Sequence, residues 1–285
     1  MKNLFLVLKT DVNEALRSKW FLVYTLIFGG IIALFFITGI TESRIQGFSG
    51  LSRLLLIFIE ICIVIVPIFI LINTVKTIAG ERDSNILEYM LSFPISLKEY
   101  FFGKFLGKLF TVTIPIIGAL ILALVWGIFK GANVPWEEFF YYMALIIAIN
   151  ICFLGLSFFI SSIVKTQDVA LGIAFFVWLL LLALIDLLLI GFLIKSTASP
   201  ELVYAVALAN PLQVFRIGAI ALFDPELSVI GPASYFIMDE FGKELISIYC
   251  IVYPIIIGVI FSVFGYLVFK KKDLVWKELF FYFLF

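Results

Sequence analysis

The chain has 285 residues, of which 64% are hydrophobic and only 14% charged, with a mean hydropathy of +1.19. A water-soluble domain carries about a quarter charged residues, so the solvent for most of this chain is lipid. The 20 basic and 20 acidic residues cancel, leaving no electrostatic footprint for nucleic acid, and the lack of histidine removes the commonest metal ligand and general base together.

At the start, Lys9, Asp11, Glu14, Arg17 and Lys19 interrupt the apolar core that a cleavable signal peptide needs, so the N-terminus is expected to stay in the mature protein. Leu4, Phe5, Leu8, Val12, Ala15 and Leu16 recur at helical spacing. They predict an amphipathic elbow helix over residues 1–19, lying in the interface and leading into the first span. Apolar runs of roughly 20 residues, enough to cross about 30 Å of hydrocarbon, follow at 20–40, 54–75, 106–129, 138–163, 169–194 and 245–269. The expected fold class is therefore all-α: a single polytopic membrane domain over residues 1–285 with six transmembrane helices and no fused soluble domain.

Basic residues divide unevenly between the two sides of such a layout. Lys2, Lys9, Arg17, Lys19, Lys76, Arg82, Lys98, Lys104, Lys108, Lys165, Lys270, Lys271, Lys272 and Lys277 fall on one side. Only Arg44, Arg53, Lys130, Lys195, Arg216 and Lys243 fall on the other, which predicts that both termini are cytoplasmic. The connections 76–105 and 195–244 are too long for turns and are where function is expected. The final WKELFFYFLF is too short to span and is expected against the membrane surface.

Within 76–105, Asn85 with Glu88 reads as a capping box opening a short helix that stops by Phe93, before Pro94. Ser96 with Glu99 reads as a second, from which a longer helix runs into the third span. The short helix is more apolar than a free loop, so either lipid headgroups or a groove on a soluble partner should cover it. Glu81, Arg82, Leu87, Glu88, Leu91, Ser92, Pro94, Ile95, Ser96, Glu99, Gly103, Lys104 and Gly107 together resemble the coupling-helix region of ABC type-2 exporter permeases. Asn85 and Ile86 depart from it, where such permeases often carry Gly-Thr.

That resemblance implies an inner-membrane homodimer of permease subunits in a lipid bilayer, each coupling helix gripped by a cytoplasmic ATPase. Glu81, Arg82, Asp83, Leu87, Glu88 and Leu91 would be the ATPase-coupling residues. No GxxxxGK[ST] phosphate loop occurs in the sequence. The chain is thus expected to be no enzyme and to bind no cofactor, with ATP and Mg in the partner ATPase.

In the outer segment, Asn210, Pro211 and Gln213 make a strong helix start. The apolar helix that follows, to Asp224-Pro225, is too short to cross and should be re-entrant or interfacial, with another short helix after Gly231-Pro232; a plain lid over the bundle would read the same way. Asn210, Pro211, Phe215, Arg216, Gly231, Pro232 and Ala233 resemble the NosY-like group of these permeases. The likeness implies maturation of the copper site of nitrous oxide reductase, a NosF-like ATPase, a periplasmic NosD-like partner, and Asn210, Pro211, Phe215 and Arg216 as the outer gate or partner contact.

Glu60 and Asp186 lie inside apolar runs, where a carboxylate costs about 3 kcal/mol and should face protein or water. With Asn150 they are candidates to line a pathway. Asn150, Ser157 and Ser161 share one helix face and read equally as interhelical hydrogen-bonding groups. Gly103, Gly107 and Thr111 form a small-residue stripe for close helix packing. Cys62, Cys152 and Cys250 read as packing residues, and with Met90, Met143 and Met238 they are too scattered for a metal site. Rival readings are a general exporter of lipid, drug or peptide, a membrane scaffold, and an intramembrane enzyme using Glu60 or Asp186.

Overall fold

The computed structural model describes residues 2–37, 50–129, 134, 136–184, 200–221 and 232–284, and the described residues are helical apart from short turns. In chain order the helices are α1 (Lys2–Leu16), α2 (Lys19–Ile37), α3 (Gly50–Thr74), α4 (Lys76–Asp83), α5 (Ile86–Leu91), α6 (Leu97–Phe129), α7 (Trp136–Ile163) and α8 (Gln167–Leu179). A π-turn at Leu180–Leu184 follows α8, then α9 (Pro200–Ala209), α10 (Pro211–Ala221) and α11 (Pro232–Leu284).

Four stretches among the described residues are long and apolar enough to cross a membrane: Ile57–Asp83, Leu97–Phe129, Trp136–Ile163 and Glu244–Lys271. Asn3–Leu16 and Phe21–Leu34, bent by 66° at the turn between α1 and α2, make a fifth if counted as one broken span. The expected runs at 54–75, 106–129, 138–163 and 245–269 lie in α3, α6, α7 and α11. The runs at 20–40 and 169–194 are only partly within the described residues. Helix α11 continues through most of the final apolar stretch, to Leu284. That helix is broken at Gly242, whose φ of 69° and ψ of 161° suit glycine and end the short helix begun at Pro232.

Helix α7 is the core, packed mainly against α11 and α3. Its backbone meets that of α11 directly. A Cβ on Gly155 would lie 2.0 Å from the Gly258 carbonyl oxygen, and one on Gly258 would lie 2.4 Å from the Ile151 carbonyl oxygen. Polar ties supplement this packing, with Thr74 and Ser157 hydroxyls 2.6 Å apart and Asn150 Nδ2 donating to Thr113 Oγ1 at 2.9 Å.

The Gly103 and Gly107 stripe on α6 accommodates α1. Cβ atoms there would reach 2.8 Å from Val7 Cβ and 2.7 Å from Asp11 Oδ2. Val7 and Asp11 are the most buried side chains of α1, while Phe5 and Leu16 are exposed. Asp11 turns inward because Lys108, the residue after Gly107 on α6, meets its Oδ1 at 3.3 Å. Asn3 also anchors α1, donating from Nδ2 to the Pro94 carbonyl at 3.1 Å.

Candidate functional site

The connection between α3 and α6 contains a helix that the sequence pattern did not separate. Val75, itself helical at φ −63° and ψ −24°, divides α3 from α4, whose first-turn N–H groups turn toward α7. Ser161 Oγ on α7 accepts two of them, from Ile78 at 3.1 Å and Ala79 at 2.9 Å. The junction of α3 and α4 is thus tied to the neighbouring helix.

Each of three consecutive charged residues on α4 then reaches a different element. Glu81 accepts from the Tyr100 hydroxyl and pairs with Lys104, both on α6. Arg82 donates to the Val164 carbonyl at the end of α7, at 2.7 Å. Asp83 Oδ2 lies 3.4 Å from the Gln167 N–H that opens α8. The Glu81 and Asp11 carboxyls are thus each paired with a lysine of α6, Lys104 and Lys108. Ion pairs of this kind add little net stability but fix which groups meet.

The capping box expected at Asn85 and Glu88 does not form. Asn85 is left-handed, with φ 59°, and makes no side-chain cap. It terminates α4 instead, its N–H donating to the Arg82 carbonyl while the Ser84 N–H reaches Gly80, as helix C-termini require. This is the position where the resembled family often carries glycine, and asparagine serves the same backbone geometry. The second box does form, with Ser96 Oγ 2.9 Å from Glu99 Oε2 and the Glu99 N–H 3.2 Å from Ser96 Oγ.

Helix α5 between them presents two faces. Leu87 is buried, 3% exposed, and holds the helix to the bundle. Ile86, Tyr89 and Phe93 are 49%, 66% and 44% exposed, with the Tyr89 and Phe93 rings edge to face at 5.3 Å. Of the residues expected to couple to an ATPase, Glu81, Arg82 and Leu87 therefore engage this chain itself, whereas Asp83 and Glu88 are exposed and Leu91 is half-buried. Ile86 and Tyr89 belong to the short apolar helix that was expected to be covered, and Phe93, in the turn before Pro94, adds to its exposed face.

On the other flank of the bundle, Asn210 joins α9 to α10. Its Oδ1 accepts from the Leu212 N–H at 3.0 Å, as an N-cap should, and its Nδ2 donates to the Leu181 carbonyl in the π-turn at 2.8 Å. Carbonyls at the ends of these short helices are taken by hydroxyls of longer ones: Tyr249 and Tyr253 donate to Leu208 and Ala209, and Tyr142 donates to Ala219. Buried helix ends in a membrane protein need such partners. Pro211 and Phe215 are buried, and Arg216 is exposed.

Arg216 and Glu60, far apart in sequence, line one cavity of about 280 Å³ between α3, the π-turn and α10. Asn150 is fully buried and engaged with Thr113, away from that cavity. Asp186 lies outside the described residues. The three cysteines are buried and free, and no cluster of metal ligands occurs among the described residues.

Known proteins bear on this arrangement. Residues 5–274 match the family model described as ABC-2 family transporter protein. A protein of Stutzerimonas stutzeri named as a probable ABC transporter permease protein NosY is 24% identical over 241 residues, covering 82% of this chain and 87% of its own. One of the same name from Pseudomonas aeruginosa is 25% identical over 230 residues, covering 76% and 82%. The chain belongs to the ABC-2 transporter family, as a NosY-like membrane permease subunit whose ATP hydrolysis resides in a separate ATPase.

Proposed function

We propose that this chain forms a homodimeric, six-span permease of the inner membrane with cytoplasmic termini, and that a NosF-like ATPase grips α5 from the cytoplasm. One observation carries this reading: a six-residue helix and the turn after it expose Ile86, Tyr89 and Phe93 while buried Leu87 and the neighbouring α4 tie them into the bundle. Such an apolar face on a charged, anchored support fits a groove on a soluble partner better than a free loop.

Closure of two ATPases on ATP and Mg would push both α5 helices. Glu81 and Arg82 act as anchors that pass the displacement to α6 and α7, and α7 with α11 carries it to the tyrosine-held pair α9 and α10. Asp83, Glu88 and Leu91 surround the contact. At the outer face, Asn210, Pro211, Phe215 and Arg216 form the gate, or the platform for a NosD-like partner. Likeness to NosY supports assigning the whole to maturation of the copper site of nitrous oxide reductase. The cavity at Glu60 favours a second reading, a general exporter of lipid, drug or peptide, in which Glu60 and Asp186 line the path and Asn150 stays a packing residue.

The test is a pull-down of the tagged chain from its native membrane in mild detergent, with mass spectrometry of what co-purifies. An ABC ATPase together with a NosD-like protein supports maturation, and an ATPase alone supports the general exporter. Tyr89→Asp, an exposed change, should abolish ATPase recovery while leaving the chain folded. Recovery of no ATPase with the unaltered chain rejects the permease mechanism.

A further inference from the structure

Where α1 turns into α2, the elbow leaves a cavity of about 200 Å³ against the spans α3 and α6. Its walls change character in the same sense on all three. Ser18 precedes Phe21 on the elbow, Asn73 follows Phe69 by one turn on α3, and Lys108 precedes Val112 by one turn on α6. Helix α3 ends at Thr74, whereas α2 and α6 run inward from Lys19 and Leu97, so each polar residue lies nearer the membrane surface and each apolar one deeper. The cavity is therefore amphipathic along the membrane normal, as an amphiphile lying among the lipids is.

The polar end has donors to spare. Lys108 meets Asp11 Oδ1 at 3.3 Å with its side chain 23% exposed, and an ammonium carries three N–H groups. Ser18 Oγ accepts from the Phe21 N–H at 3.2 Å, which leaves its own hydrogen to donate. Asn73 gives one amide hydrogen to the Phe69 carbonyl at 3.0 Å and has a second.

We propose that this cavity holds the phosphodiester headgroup of a membrane phospholipid whose acyl chains run inward over Phe21, Phe69 and Val112. The phosphate takes a charge-assisted bond from Lys108 and neutral ones from Ser18 and Asn73. Glu14 also lines the cavity and is exposed, so a headgroup whose ammonium can reach that carboxylate suits it better than one carrying only negative charge. A soluble phosphate ester would leave the apolar end unused. Since α1 packs on α6 through Val7 and Asp11, a lipid held here ties the elbow to both spans. The site depends on α3 and α6 crossing the membrane and is separate from docking at α5, so each can fail without the other.

The experiment is native mass spectrometry of the detergent-purified chain, with its co-purifying partners, after equilibration with phosphatidylethanolamine or with the diacylglycerol of the same chains, which lacks only the headgroup. The phospholipid should be retained roughly tenfold better, the worth of one charge-assisted hydrogen bond. Two variants should move this ratio in opposite directions. Asp11→Asn frees the Lys108 ammonium for the phosphate and should raise retention of the phospholipid. Asp11→Asn combined with Lys108→Met strands no charge and should bring the two lipids level. Cooperative thermal unfolding shows that each variant is folded. Equal retention of the two lipids by the unaltered chain, a preference that survives the double variant, or a fall with Asp11→Asn alone overturns the site. Displacement of the phospholipid by glycerophosphoethanolamine at equal concentration would assign the cavity to a soluble phosphodiester and overturn the lipid.

Discussion

At the scale of single residues, the tightest constraint in the molecule falls on two glycines. Gly155 and Gly258 let α7 and α11 touch backbone to backbone, and the atoms facing a new Cβ are main chain, which cannot rotate away. Overpacking a core costs about 1–3 kcal/mol, and a main-chain obstacle places Gly155→Ala at the upper end. Gly118→Ala on α6 meets nothing within 4 Å and should be neutral or stabilising by up to about 1 kcal/mol through helix propensity. Thermal unfolding of both variants in one detergent checks the contrast, and equal midpoints would mean that the two helices do not approach so closely. Neither glycine stood out in the sequence, since their close approach exists only after the two helices pair.

Among the elements, the region around α4 shows what sequence pattern resolves and where it stops. Ser96 with Glu99 was legible as a helix start because the box is complete within four residues, and Asn210 was legible for the same reason. Asn85 with Glu88 has the same local form, but α4 ahead of it needs a left-handed terminator, and that requirement wins. The partners of Glu81 and Arg82 lie 19 to 82 residues away, beyond any local pattern. Removing one partner of a buried pair leaves an uncompensated charge, so Glu81→Ala should destabilise by about 3 kcal/mol, with Lys104 as the stranded group. Glu81→Leu combined with Lys104→Met removes both charges and should recover most of the loss. Thermal midpoints of the single and double variants decide this, and additive losses would show that the pair is not coupled.

For the molecule as a whole, the arrangement of spans fixes which connection faces which compartment. The α6 to α7 connection and the α7 to α8 connection must lie on opposite sides if α7 crosses once, and the proposed topology puts the second in the cytoplasm. The native cysteines at 62, 152 and 250 are buried and free, so the unaltered chain should resist a membrane-impermeant maleimide. Glu137→Cys, exposed at the start of α7, should label in intact cells. Asp168→Cys at the start of α8 and Ser92→Cys beside α5, both exposed, should label only after the membrane is opened. Protection of Ser92→Cys by a co-expressed ATPase would tie this topology to the proposed docking, because the same side must hold both. Labelling of Glu137→Cys and Asp168→Cys from one side would remove α7 as a span, and with it the route by which movement at α5 reaches α9 and α10.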